Sequence, residues 1–216
     1  MTLEEAAICR QAAEFSMTGP ERLLSVVRVV EYLARNRLQG AIVECGVWRG
    51  GSSMAAALAL QRLGETRDLY LYDTFEGMPE PSPDLDGRSA NDQFAAATVG
   101  GEAWFRASID EVRRNLAGTG YPMDRVHLVP GRVEETLPAS APPAIGLLRL
   151  DTDWYSSTRH ELVHLYPRLV AHGVLIVDDY GHWQGARKAT DEYFAALVPC
   201  PFLHRIDYTA RLAIKI

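Results

Sequence analysis

The sequence predicts an α/β fold in which a mostly parallel β-sheet is covered by helices on both faces. Short apolar runs typical of buried strands alternate with helical patterns along the 216 residues. Most of these runs are nearly continuous in apolar residues, as expected for strands buried on both faces. The last two predicted strands lack a helix between them, so we expect an antiparallel hairpin at one edge of the sheet.

In the N-terminal half, an amphipathic helical pattern ends before Gly40, and a second helix is closed by Gly64, because glycine commonly terminates helices. A short apolar run, typical of a strand, follows each of these two helices, and another follows the third predicted helix. The predicted elements are helix 21–38, strand 41–46, helix 52–64, strand 68–73, helix 102–118 and strand 125–131.

The connection 74–101 is rich in Pro, Gly and Asp and is too long for an ordinary loop. Such a segment is either disordered or functional, and we interpret it as a lid or acceptor-binding loop. Neither a repeat nor a domain boundary is visible. We therefore expect a single domain over residues 1–216, with a helical N-terminal segment at 1–38.

In the C-terminal half, two apolar runs end in acidic residues. Pro167 falls inside a helical pattern and is expected to kink or shorten that helix. The predicted elements are strand 144–151, helix 157–173, strand 173–179, helix 185–197 and two strands within 201–216.

Composition limits the function classes. A net charge of −6 argues against a nucleic-acid partner. No apolar run approaches the length of a membrane span, and the acidic start "MTLEEAAICR" does not resemble a signal peptide. Three widely spaced cysteines indicate free thiols in a reducing compartment, so we expect a cytoplasmic protein without a membrane partner.

The turn after the first strand contains Gly46, Gly50 and Gly51, spaced as G-x-x-x-G-G instead of the G-x-G-x-x-G of dinucleotide folds. Ligands of open α/β sheets bind at such turns, and Asp73 ends the second strand, where an acid commonly binds a ribose diol. Together they favour an adenosine-containing ligand. The alternative is a tight turn that binds no ligand.

Three further polar residues lie close to this turn. Ser52 and Ser53 begin the next helix, where they can cap it or hydrogen-bond a ligand. Glu44 lies within the first strand, and a buried carboxylate needs a partner. That partner is either a cofactor or a neighbouring arginine.

Asp151 and Asp153 follow one apolar run, and Asp178 and Asp179 follow the next. If the two strands are neighbours about 5 Å apart, these carboxylates converge, and their repulsion calls for a cation. Oxygen ligands favour Mg²⁺ or Ca²⁺ over zinc. Such an ion could lower the pKa of a substrate hydroxyl, and a remaining carboxylate could take the proton. The alternative is that these acids only cap helices, with Asp153 or Ser156 as the cap of residues 157–170.

Five motifs in order resemble the macrocin O-methyltransferase family, whose members use S-adenosylmethionine to methylate hydroxyls on natural-product sugars. The resemblance spans roughly residues 15–200. It implies the Rossmann-like class I methyltransferase fold, with seven strands and an antiparallel last strand. The motifs are "VECGVWRGGSS", "LYDTFEGMPEP", "GRVEETLP", "LLRLDTDWYSST" and "GVLIVDDYGHWQGARKATDEYF".

The resemblance also implies roles for individual residues. The cofactor would be bound by Glu44, Gly46, Ser52, Ser53, Asp73, Gly131 and Arg132. Mg²⁺ would be bound by Asp151, Asp178 and Asp179, and the catalytic base would be Asp153 or, as second choice, Asp151. The acceptor would be a small molecule, a glycosylated natural product or a similar diol. Members often use a longer N-terminal segment to close the site and dimerise, so a homodimer or larger homo-oligomer stays open.

Three alternatives are left open by the residues. A catechol-like phenolic O-methyltransferase would use the same metal to chelate its diol. An NAD-binding oxidoreductase fits poorly, because the glycine spacing differs and the carboxylates would have no role in it. A binding protein with a vestigial site is the third.

Overall fold

A computed structural model describes residues 1–216, and its seven strands form one sheet. The strands are β1 (Ala41–Cys45), β2 (Leu69–Asp73), β3 (Val126–Pro130), β4 (Ile145–Leu150), β5 (Leu169–Val177), β6 (His204–Arg205) and β7 (Arg211–Ile214). Their order is β3-β2-β1-β4-β5-β7-β6. The first five are parallel, and β7 is antiparallel to both β5 and β6. The predicted fold class and edge hairpin are confirmed.

Eight α-helices accompany these strands: two precede β1, and six lie in the connections between strands. They are α1 (Leu3–Ala13), α2 (Pro20–Arg35), α3 (Gly51–Arg62), α4 (Pro83–Ala97), α5 (Ile109–Ala117), α6 (Val133–Thr136), α7 (Tyr155–Leu165) and α8 (Gln184–Ala195). None of them combines the length and the apolar character that crossing a bilayer would require.

The two faces of the sheet are buried by different helices, because successive strand residues point to opposite faces. In β1, Ile42 packs in a core built with α1, α2, α3 and α5. Its neighbour Val43 packs in a second core that includes Leu162 of α7 and Phe194 of α8. This arrangement leaves the carboxyl ends of the strands free to form a site.

The predicted helices agree with the structure to within three residues at each end, except for two. The helix predicted at 102–118 begins only at Ile109, because the Ser108 hydroxyl caps it by accepting from the Glu111 amide. The helix predicted at 157–173 ends at Leu165. Pro167 has no N–H to continue it, so a short 3₁₀ turn follows and β5 begins at Leu169.

The N-terminal segment and the 74–101 connection contain more helix than the sequence indicated. Helix α1 begins at a capping box between Thr2 and Glu5, a signal that the periodicity analysis missed. The 74–101 connection is ordered and contains α4, which the expectation of a loop did not include.

Candidate active site

A cavity of about 400 Å³ opens at the carboxyl ends of β1, β2, β4 and β5. In the sheet, β1 has β2 on one side and β4 on its other side. The cavity therefore lies where the strand order reverses. Ligands of open α/β folds bind at this point. Eight of the predicted site residues line the cavity: Gly46, Asp73, Gly131, Arg132, Asp151, Asp153, Asp178 and Asp179.

Gly46 is required by its backbone and by its neighbour. Its φ is +82°, and a Cβ there would collide with the carbonyl oxygen of Asp151. The turn that follows is held by Asp73, whose Oδ2 accepts hydrogen bonds from the amides of Val47 at 2.7 Å and Trp48 at 3.0 Å. Asp73 therefore anchors the glycine turn to the end of β2.

Asp73 also organises the neighbouring loop. Its Oδ1 accepts from the Phe75 amide at 2.8 Å, and its carbonyl accepts from the Gly131 amide at 3.0 Å, which brings Arg132 to the cavity. An ionised carboxylate offers about four acceptor sites, so those not used by these amides can accept from ribose hydroxyls.

Glu44, Ser52 and Ser53 are buried below the cavity and do not line it. The Ser53 hydroxyl hydrogen-bonds the Glu44 carboxylate. The N-cap of α3 is Gly50, with no side-chain cap, so the expectation that these serines cap the helix is wrong. Their contribution to ligand binding stays a prediction.

Arg149, which the sequence analysis did not single out, lies at the base of the cluster. Its Nη1 is 2.6 Å from Glu44 Oε1 and 2.8 Å from Asp151 Oδ2, and its Nη2 is 2.7 Å from Asp178 Oδ1. Glu44 therefore has an arginine partner. Burial still raises the pKa of Glu44 to about 7, although Arg149 and Ser53 oppose the shift. A charged residue inside the apolar run "IGLLRLD" was the available signal.

Arg22 of α2 brings a second cation to the site. It contacts Asp178 Oδ2, and its Nε lies 3.0 Å from Asp207 Oδ2. Both oxygens of Asp178 thus contact arginines. The positive charge that the clustered acids require is supplied in part by the chain itself.

Despite these arginines, the cluster of acidic side chains still fits a divalent cation. Oxygens of Asp151, Asp178 and Asp179 lie within 4.8 Å of one another. Asp179 Oδ2 is buried without a hydrogen-bond partner, and such an atom calls for a ligand. The second lone pairs of the arginine-bonded oxygens stay available, and an all-oxygen donor set suits Mg²⁺.

Crowding of these acids changes their protonation. Burial raises the pKa of Asp178 to about 6 against the lowering effect of Arg149, and it raises the pKa of Asp179 well above its ordinary range. Burial and the charge of Asp151 raise the pKa of Asp153 to about 8. A bound cation would reverse this trend, because it favours the ionised carboxylates.

Asp153 has an unusual backbone conformation. Its φ is +67°, and the Trp154 amide closes a tight turn by donating to the Thr152 carbonyl at 2.7 Å. A positive φ is uncommon for a residue with a side chain and is often found at functional sites. Neither Asp153 nor Ser156 caps α7, which begins at Tyr155 without a cap from its own segment.

Parts of the cavity lining come from segments that lie far apart in the chain. Met17 and Thr18 come from the N-terminal segment, and Met78 and Gln93 come from the 74–101 connection. Periodicity carries no information about such contacts. The aromatic lining residues are Trp48, Tyr72, Trp104, Phe105, His182, Trp183 and Tyr208.

Comparisons with known proteins place residues 5–212 in one family model, described as Macrocin-O-methyltransferase (TylF). The chain is 34% identical over 179 residues (82% of the chain, 67% of the relative) to an 8-demethyl-8-(2,3-dimethoxy-alpha-L-rhamnosyl)-tetracenomycin-C 4'-O-methyltransferase of Streptomyces olivaceus. It is 31% identical over 204 residues (88% of the chain, 78% of the relative) to Mycinamicin III 3''-O-methyltransferase of Micromonospora griseorubida.

Solved structures with the same fold agree. The O-methyltransferase NovP superposes with a TM-score of 0.83 at 30% identity, over 93% of the chain and 82% of NovP. The calicheamicin methyltransferase CalS11 superposes with a TM-score of 0.71 at 20% identity, over 99% of the chain and 93% of CalS11. The latter identity supports the fold alone.

Proposed function

The chain belongs to the macrocin O-methyltransferase family and is an O-methyltransferase, and from this premise we propose that it methylates a hydroxyl of a natural-product sugar with S-adenosylmethionine and Mg²⁺. One observation carries the proposal. The cluster of Asp151, Asp178 and Asp179 shares a cavity with the glycine turn anchored by Asp73. A methyl donor and a metal-bound hydroxyl would therefore meet in one site.

Cofactor binding is assigned to residues at the ends of β1, β2 and β3. Asp73 would accept from the ribose hydroxyls, and Gly46 would let the backbone approach the methionine part. Gly131 and Arg132 would border the adenine. Glu44, Ser52 and Ser53 would support this site from below, because Glu44 holds Arg149 in place.

Asp151, Asp178 and Asp179 would hold the metal. S-adenosylmethionine supplies an electrophilic methyl group, and Mg²⁺ supplies a Lewis acid that lowers the pKa of the acceptor hydroxyl. Asp153 would accept the hydroxyl proton, which makes the oxygen nucleophilic. Opposite charges neutralise in the transfer, so exclusion of water by Trp104 and Trp183 would favour it.

Sugar acceptors are favoured by the names of the relatives. The curated relative of Streptomyces olivaceus is named for a rhamnosyl substrate and its 4' hydroxyl. The aromatic side chains that line the cavity suit the flat, partly apolar face of a deoxysugar. A catechol would present the same diol, so phenolic acceptors are the alternative outcome of the test below.

The proposal is tested by transfer of labelled methyl to a panel of deoxysugar glycosides and catechols, with and without EDTA. We expect turnover of a glycoside that EDTA abolishes and added Mg²⁺ restores. Turnover that EDTA leaves unchanged would remove the metal from the mechanism. Preferential turnover of catechols would refute the sugar acceptor.

A variant pair tests the ligand assignment. Asp179→Asn should lose Mg²⁺ binding in calorimetry and lose activity with it. Asp110→Asn is the control, because Asp110 is an exposed residue of α5 whose ion-pair partner is the exposed Arg113. Normal Mg²⁺ affinity in Asp179→Asn would contradict its assignment.

A further inference from the structure

Asp86 is an unexpectedly buried acid in the 74–101 segment. Helix α4 of this segment has only two buried residues, Asp86 and Ala90. Asp86 is 3% exposed, and its neighbour Asp84 on the same helix is exposed. A carboxylate is costly to bury, so its partners are informative.

Both carboxylate oxygens of Asp86 accept backbone hydrogen bonds. Oδ2 accepts from the Ser82 amide of its own segment at 2.8 Å. Oδ1 accepts from the Tyr155 amide at 2.6 Å, and Tyr155 is the first residue of α7. Asp86 therefore supplies the cap that α7 lacks from its own sequence, from a position far away in the chain.

The neighbouring helix α8 is shaped to accommodate this carboxylate. A Cβ on Gly185, in the first turn of α8, would collide with Asp86 Oδ1. Next to Asp86, Gly87 interrupts α4 with a φ of +83° and lies against Gln184. The carboxylate is thus inserted at the N-terminal ends of α7 and α8, whose positive partial charges stabilise it.

This contact joins two parts of the cavity. Tyr155 directly follows the loop that carries Asp151 and Asp153, and Trp154 Nε1 donates to the Pro79 carbonyl at 2.8 Å as a second tie. On the other side, Gln93 of α4 lines the cavity. Asp86 makes the buried charged contact between the 74–101 segment and the loop of the candidate base.

We propose that Asp86 is a positioning residue that holds the 74–101 segment over the acceptor side of the cavity. The catalytic consequence of this contact rests on the proposed methyl transfer. Asp86 touches neither substrate nor cofactor. It acts through the Tyr155 amide, which fixes the wall formed by the segment relative to Asp153. Loss of the contact should weaken acceptor binding and leave the cofactor side unchanged.

The test compares Asp86→Asn with Asp84→Asn. An asparagine has one acceptor oxygen and presents an NH₂ group to one of the two amides, so one hydrogen bond is lost. Arg88 is the one tryptic site within 74–101, and its side chain is 94% exposed, so cleavage there reports release of the segment. Gly185→Ala is a second variant, because its Cβ would collide with both Asp86 Oδ1 and the Tyr155 amide nitrogen while the Asp86 side chain stays chemically intact.

We expect both Asp86→Asn and Gly185→Ala to speed tryptic cleavage at Arg88 by about tenfold. This factor corresponds to the loss of one charge-assisted hydrogen bond. Affinity for S-adenosylhomocysteine in calorimetry should stay within about twofold of the parent, while the acceptor KM rises about tenfold and kcat falls less. Asp84→Asn should match the parent throughout.

Unchanged cleavage at Arg88 in both variants would overturn the proposal. Loss of S-adenosylhomocysteine binding together with a fall in Tm in both would also overturn it, because Asp86 would then support the fold in general. If no acceptor of the panel is methylated, the proposed function fails, and the cleavage assay still decides whether Asp86 holds the segment.

Discussion

Glu44 and Arg149 lie directly opposite each other on the parallel strands β1 and β4, with Arg149 Nη1 2.6 Å from Glu44 Oε1. Each residue is only 3% exposed. Arg149 also contacts Asp151 and Asp178, so one guanidinium compensates three carboxylates. Arg149 thus supplies part of the positive charge that this network requires, and a bound metal would supply more.

Replacing Arg149 by Met should lower the free energy of unfolding by about 3–5 kcal/mol, because it leaves buried carboxylates without their partner. Urea unfolding at pH 7 measures this change. Arg187→Met is the control for loss of an exposed pair, which costs at most about 1 kcal/mol. Adding Glu44→Gln to Arg149→Met should recover part of the loss. Equal stability of Arg149→Met and the parent would show that the network is not stabilising.

Asp153→Asn should lower kcat by about 10² to 10⁴ if Asp153 is the base. Asparagine preserves the shape and tolerates the positive φ at this position. Calorimetry should find unchanged S-adenosylhomocysteine binding, which separates a chemical effect from a structural one. A normal kcat would move the role of base to Asp151.

Asp73→Ala should weaken S-adenosylhomocysteine binding by at least about tenfold, because the variant loses the ribose acceptor and releases the amides of Val47 and Trp48. Calorimetry measures the affinity. Asp68→Ala is the control, since Asp68 precedes β2 at the opposite end of the sheet and pairs with Arg125 and His127 there. Comparable losses in both variants would contradict a specific role of Asp73.

Glu161→Gln should change how stability depends on pH. Glu161 is fully buried and its Oε1 accepts from the Thr152 hydroxyl at 2.9 Å; burial raises its pKa from 4.5 to about 8. The folded protein therefore holds this proton more tightly than the unfolded chain, so the stabilisation is full below pH 4.5 and is lost as the pH rises toward about 8.

The glutamine variant cannot ionise, so its Tm relative to the parent should rise between pH 5 and 8 and then level off, by about 2–4 °C for each kcal/mol. Thermal unfolding followed by circular dichroism across this range measures the difference. Parallel Tm profiles for the two proteins would show that Glu161 does not titrate as its burial requires.

Local patterns predicted the strands and the glycine turn well, because burial on both faces of a sheet leaves a strong local signature. They were less accurate for the ends of helices, although the expected shortening of a helix by Pro167 is confirmed. Leu169–Val177 is one strand, although its first residues continue a helical pattern, because Pro167 ends the helix before them. The helix predicted from residue 102 begins at Ile109, where a serine caps it.

By itself, the sequence determined the fold class and the family resemblance, since both depend on patterns of residues close together in the chain. It predicted that the acids converge if their two strands are neighbours, and the sheet order supplied that condition. Only the tertiary structure decided that Arg149 is the partner of Glu44 and that Asp86 caps α7. Those contacts join segments far apart in sequence, and their strength comes from burial, which removes the water that would otherwise compete for the same charges.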